Sequence, residues 1–230
     1  MSSRRFTTTA RPFVHGSWML FLVVGACGDS ALHQSEDGEG HSSARPTILC
    51  LGDSLTAGYD LLPEDVFTTL IQQKIDEQGL GYQVVNAGVS GDTSSGGLSR
   101  LDWLLKDEIA VLVLELGAND GLRGISPSLA ESNLQSIIDR TRAKCKEVLI
   151  LLCGMKAPPN MGRDYTDAFQ AIFPRLASRN RVVLMPFFLE EIAADPSLNL
   201  RDGIHPNEKG HRILADNLWK HLEPLLETSD

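Results

Sequence analysis

The chain has 230 residues, of which 42% are hydrophobic, 22% charged and 6% aromatic, a composition that suits one globular domain with a full core. Its 21 Lys and Arg stand against 30 Asp and Glu, for a formal charge of −9. An acidic body without a basic patch repels phosphate backbones, so no nucleic acid is expected as a partner.

Residues 1–26 read as an export signal. Arg4, Arg5 and Arg11 precede a short apolar run, W-M-L-F-L-V-V-G-A at 18–26, which ends in small residues and is too short to span a bilayer comfortably. The sequence V-G-A-C at 24–27 resembles a bacterial lipobox, in which Cys27 becomes the lipid-attachment residue and the membrane tether. The plainer alternative is a simple secretory signal with Cys27 incidental. Residues 27–46 are polar, acidic and rich in Gly and Ser, a composition that cannot bury enough surface to order itself. As a flexible tether they would span about 25 Å. The protein is therefore expected to be exported, either periplasmic or a membrane-anchored lipoprotein, with its folded domain over 47–230. Cys50, Cys145 and Cys153 remain, an odd count that argues against a disulfide framework, and no C-x-x-C pair supports zinc. Cys50 and Cys153 lie in apolar runs and read as small core hydrophobes.

From residue 47 onward, short apolar runs alternate with helical patterns. Strands are predicted over 47–51, 83–86, 110–116, 147–152 and 182–185, and helices over 66–78, 96–105, 127–144, 164–178 and 208–226. The last helix carries Ile213, Leu214, Leu218, Leu222 and Leu225 at helical spacing. Such alternation implies right-handed crossovers and an α/β fold: a three-layer α/β/α sandwich around a five-stranded parallel sheet, in flavodoxin-like order 2-1-3-4-5.

Open parallel sheets bind ligands outside the carboxyl ends of their strands. Four segments would converge there: G-D-S-L at 52–55, N-A-G-V-S-G-D at 86–92, G-A-N-D at 117–120 and D-G-I-H-P at 202–206. Their residue types are those acyl transfer requires. A serine hydroxyl needs a histidine to take its proton, and that histidine needs a carboxylate to orient it. Ser54 stands at a strand-to-helix turn, His205 is the natural base, and Asp202 lies three residues before it. The Ser54 and Gly88 N–H groups and the Asn119 amide are candidate oxyanion donors. Each motif alone has a plainer reading: Ser54 as a helix N-cap, Gly-x-Asn-Asp as a turn, Asp-x-x-His as a loop or half a metal site. In this order, each after a predicted strand, they read together as a catalytic set. Ser90 is the rival nucleophile, read as structural because no helix follows it at once. His211 and His221, on the last helix, are expected at the surface.

The four blocks resemble the GDSL, or SGNH, hydrolase family, with its name letters on Ser54, Gly88, Asn119 and His205. The match extends to G-D-S-L-T-A-G-Y at 52–59, N-A-G-V-S-G-D-T at 86–93, E-L-G-A-N-D-G-L-R-G at 115–124 and D-G-I-H-P-N at 202–207. P-F-F-L-E-E at 186–191 is similar to the branch of bacterial multifunctional acyl-CoA thioesterases, lysophospholipases and arylesterases. The resemblance implies a Ser54–Asp202–His205 triad, an oxyanion hole of Ser54, Gly88 and Asn119, and no metal or organic cofactor. In such enzymes the loop at 155–162 helps wall the acyl site, which nominates Pro158 beside Leu122 as substrate-binding residues, with Met155 and Met161 also apolar there. The implied activity is a monomeric serine esterase acting on small-molecule or lipid esters and on thioesters. The alternatives are a carbohydrate O-acetyl esterase on the same scaffold and a non-catalytic tethered binding protein; a metallohydrolase using Asp202 and His205 comes third.

Overall fold

The computed structural model describes residues 45–227. The predicted export signal, Cys27 and nearly all of the predicted tether lie outside these residues.

Five strands form one parallel sheet: β1 (Thr47–Gly52), β2 (Gln83–Gly88), β3 (Ile109–Glu115), β4 (Leu149–Cys153) and β5 (Val183–Met185), in the expected order β2-β1-β3-β4-β5. Residues 48–51 and 111–114 are buried on both faces, as central strands of a parallel sheet covered by helices must be. β2 and β5 form the edges and are only partly buried. Cys50 and Cys153 are free, buried core residues, as their apolar surroundings suggest, and Cys145 is buried with them.

The covering helices are α1 (Ser54–Ala57), α2 (Phe67–Glu77), α3 (Ser94–Leu104), α4 (Ala118–Leu122), α5 (Pro127–Lys144), α6 (Arg163–Gln170), α7 (Ile172–Asn180) and α8 (Glu208–Glu227). The single helix expected over 164–178 is two, broken at Ala171. Pro174 explains the break: it has no N–H to donate to the Gln170 carbonyl, and its ring crowds that carbonyl.

Register positions the site. Gly52, the last residue of β1, pairs with Gly88 at the end of β2 and with Glu115 at the end of β3. The three following loops therefore leave the sheet side by side.

One expectation is corrected. His211 is not at the surface; it is 1% exposed, and its Nδ1 accepts the Phe67 N–H at 3.1 Å. That N–H opens α2, whose N-cap Val66 supplies no side-chain bond, so α8 caps α2 through an imidazole. A helix that packs over the sheet can turn a polar side chain inward when another helix needs an acceptor there. His221 is half-buried. Burial pushes the His211 pKa down to about 4. Above about pH 6.5 the imidazole is neutral whether the chain is folded or not; as pH falls toward 4 the unfolded chain takes the proton first, costing on the order of 3 kcal/mol of stability. The urea midpoint should therefore fall between pH 7 and 4.5, and His211→Gln should lack that part of the slope. Parallel slopes in the two proteins would remove His211 from the account.

Candidate active site

Ser54 follows a turn with little room. A Cβ at Gly52 would collide with the Thr56 hydroxyl and the Glu115 carboxyl, and one at Gly88 with the backbone of Thr56 and Ala57. Both strand ends are thus glycine because α1 lies directly on them. The N-cap of α1 is Asp53, whose Oδ1 accepts the Leu55 N–H at 3.0 Å. The capping role considered for Ser54 is filled by its neighbour, and the serine hydroxyl is left for other work.

That hydroxyl faces a histidine. Ser54 Oγ lies 2.9 Å from His205 Nε2, and His205 Nδ1 lies 2.7 Å from Asp202 Oδ2. Asp202 Oδ1 also accepts the N–H groups of Ile204 and His205 at 2.9 and 3.0 Å, folding the loop around its own carboxylate. The bond from His205, reinforced by the Ile204 N–H, holds the Asp202 pKa down at about 2. The loop is anchored by an Asn199–Pro206 bridge and by Asn207, whose Oδ1 accepts the Lys209 and Gly210 N–H groups at the start of α8. The Tyr59 ring lies against the imidazole, centroids 4.5 Å apart.

Two of the expected oxyanion donors already have internal acceptors. The Gly88 N–H donates to Asn86 Oδ1 at 2.9 Å, an Asx turn. Asn119 Nδ2 donates to Asp53 Oδ2 and to the Asp92 carbonyl, each at 3.0 Å. The Ser54 N–H belongs to the first residue of α1, where no intrahelical carbonyl can accept it. Asn86 is in turn fixed by donating to the Thr56 carbonyl and the Thr68 hydroxyl. Arg100 ties the second loop to the first, donating to Asp92 Oδ2 at 2.7 Å and to the Gly52 carbonyl at 3.0 Å. Asp120 holds the third loop to the start of α3 by accepting the Ser94 N–H and hydroxyl.

Beneath the serine turn are two buried carboxyls that sequence reasoning missed. Asp53 and Glu115 are both 0% exposed. Burial pushes the Asp53 pKa up to about 6, against the pull of the Leu55 N–H and the Asn119 amide. Glu115 is pushed well above the usual carboxylate range, by burial first and by Asp53 second. A glutamate closing the apolar run 109–115 was the available signal. For Asn86 it was the Asn-x-Gly spacing that makes an Asx turn.

The substrate-binding candidates sit on neighbouring loops. Leu122 ends α4 and is 46% exposed; Pro158 is half-buried, just before a short 3-10 helix at Pro159–Met161. These loops touch, since a Cβ at Gly124 would come within 2.9 Å of Met161 Cε, and the Tyr165 hydroxyl donates to the Ile125 carbonyl at 2.8 Å. Met155 belongs to the core at 2% exposure and cannot line an open site. Ser90 is exposed on the turn after β2, with α3 starting only at Ser94. A separate concavity lined by Arg45, Thr47, Gln83, Ile109 and Leu149 opens at the amino ends of the strands and contains none of these residues.

Comparison with known proteins bears on this geometry. Residues 50–213 match the model of the GDSL-like lipase/acylhydrolase family. The chain is similar to Esterase TesA of Pseudomonas aeruginosa, 41% identical over 185 residues, which cover 80% of this chain and 91% of that one. It is also similar to Thioesterase 1/protease 1/lysophospholipase L1 of Escherichia coli K12, 42% identical over 186 residues, covering 80% and 87%. The crystal structure of TesA superimposes with a TM-score of 0.74 at 40% identity, covering 78% of this chain and 99% of its own.

Proposed function

Since the chain belongs to the GDSL-like lipase/acylhydrolase family and is a serine ester hydrolase, we propose that Ser54 is its nucleophile, His205 its general base and Asp202 the group that orients the base. The observation that supports this most is the unbroken run from Ser54 Oγ to His205 Nε2 at 2.9 Å and from His205 Nδ1 to Asp202 Oδ2 at 2.7 Å.

In this reading His205 Nε2 takes the Ser54 proton as Oγ attacks the ester carbonyl. The tetrahedral oxyanion is held by the N–H groups of Ser54 and Gly88 and by the Asn119 amide. It displaces Asn86 Oδ1 from the Gly88 N–H and draws one Asn119 proton from the Asp92 carbonyl, the other staying on Asp53 Oδ2. A developing full negative charge outcompetes a neutral amide or carbonyl oxygen for the same donor. His205 then protonates the leaving alcohol or thiol as the acyl-enzyme forms. In the second half it deprotonates water, which releases the acid and restores Ser54.

The acyl groups are small to fatty, carried on carboxylic esters, lysophospholipids or thioesters, with Leu122 and Pro158 walling the acyl chain. Two things support this: the apolar character of those loops, and the thioesterase and lysophospholipase names borne by a 42%-identical relative. Residues 1–26 are read as an export signal, Cys27 as lipid-modified and 27–46 as a tether. The hydrolase domain at 47–230 would then work as a monomer on the far side of the inner membrane. Among the described residues no helix is long and apolar enough to cross a membrane. The test of substrate class is the rate on p-nitrophenyl esters from acetate to palmitate. A maximum at medium or long chains is expected; activity confined to acetate would replace this reading with carbohydrate deacetylation.

A further inference from the structure

Glu115 is the one side chain near the serine turn whose polar atoms do not balance. Its Oε2 takes the Asp53 N–H at 3.2 Å and lies 2.6 Å from the Thr56 Oγ1, while its Oε1 is buried with no hydrogen-bond partner among the described residues. Titratable groups face it from each side: the Asp53 carboxyl from the start of α1, the Cys50 thiol from β1 and the Cys153 thiol from β4. Beyond Asp53 come Asp92, already paired with Arg100, and His205, paired with Asp202. None of the ion pairs among the described residues includes Glu115.

An ionised carboxylate there would place half a charge on an orphaned buried oxygen beside a second buried carboxylate. Two such groups cannot both ionise cheaply in low dielectric. Protonated on Oε2, Glu115 donates to Thr56 Oγ1 across the short contact, which releases the threonine's own proton from it, and Oε1 is left as an uncharged carbonyl oxygen, the least costly orphan.

We propose that Glu115 is a positioning residue that works as a neutral carboxylic acid. Its Oε2 pins Asp53 N–H and Thr56, the residues on either side of the Ser54–Leu55 step, while its lack of charge leaves Asp53 as the sole carboxylate under the nucleophile. Asp53 can then stay ionised and hold the Asn119 amide and the Leu55 N–H. The proposal rests on Ser54 being the nucleophile.

Two measurements test it. At pH 8, above the Asp53 value, infrared spectra of the deuterated protein should show the carbonyl stretch of a protonated carboxylic acid free of hydrogen bonds, and Glu115→Gln should lack it. Absence of that band in the unaltered protein would overturn the proposal, whether or not any variant folds. In kinetics, Glu115→Gln should keep kcat within about threefold with an unchanged pH profile, whereas Glu115→Ala should lose about 10- to 100-fold in kcat with KM little altered. A Gln variant as poor as the Ala variant would show that the negative charge is needed, which contradicts the proposal. Labelling of the unaltered protein by a serine-directed phosphonate is read alongside. Label on a residue other than Ser54 would fail the nucleophile assignment itself, separately from the role of Glu115.

Discussion

Ser54→Ala should lower kcat on p-nitrophenyl butyrate by about 10⁴- to 10⁶-fold, with near-UV circular dichroism expected to show the fold intact. The size of this loss follows from what the alanine leaves behind. Asp53 still caps α1, and the turn is held through Asp53 N–H, Leu55 N–H and Thr56, none of which needs the serine hydroxyl. His205 and the oxyanion donors remain, so residual hydrolysis by water is expected above the uncatalysed rate. What disappears is the covalent half-reaction. Because Ser54 is 8% exposed and its Oγ bonds to His205, removing one oxygen costs little stability. A decrease of less than about tenfold would mean that another group attacks the carbonyl.

Asp202→Asn should cost about 10³- to 10⁴-fold in kcat while KM moves only a few-fold. The asparagine keeps one acceptor oxygen for the Ile204 and His205 N–H groups, so the loop should stay folded. Its amide would face His205 Nδ1 where a carboxylate oxygen now lies at 2.7 Å. An NH₂ donor there forces Nδ1 to become the acceptor and moves the ring proton to Nε2, the atom that must receive the Ser54 proton. The bond from His205 holds the Asp202 pKa down at about 2, so a charged acceptor faces His205 Nδ1 in the native protein where the variant would place a donor. Asp202→Ala should be similarly slow and less well ordered, because both loop N–H groups lose their acceptor. If Asp202→Asn kept more than about a tenth of the native kcat, the Tyr59 contact would have to be sufficient to orient His205.

How far the sequence revealed this arrangement depended on the length of each signal. Residues 48–51 and 111–114 are continuous apolar runs because helices cover both faces of the sheet, and such runs are legible without any partner information. The parallel sheet and the convergence of four loops followed from strand–helix alternation, and the order 2-1-3-4-5 was the flavodoxin-like arrangement expected with it. α1 and α4, at four and five residues, are too short to carry a periodic pattern and read as loops. The break at Ala171 was written in Pro174 but hidden by an apolar face that continues across it, through Phe169, Ile172, Phe173 and Leu176. At the site, Ser54, Asp202 and His205 were visible because their chemistry is distinctive. The supporting groups were less so: His211 and Glu115 act through burial and through partners distant in the chain, which no local spacing encodes, while Asn86 and Asp53 each make one local bond but are tied to their distant partners only by the fold. The internal acceptors on Gly88 and Asn119 were equally invisible, since each depends on a side-chain orientation.

The central claim is that one serine, activated by His205, attacks the ester. The measurement that bears on it most directly is labelling of the native protein with a serine-directed fluorophosphonate, read by intact mass and peptide mapping. The account predicts a single adduct on Ser54, formed at least about 10²-fold more slowly in His205→Ala. An adduct on Ser90, or no adduct in a protein that hydrolyses p-nitrophenyl esters, would contradict it.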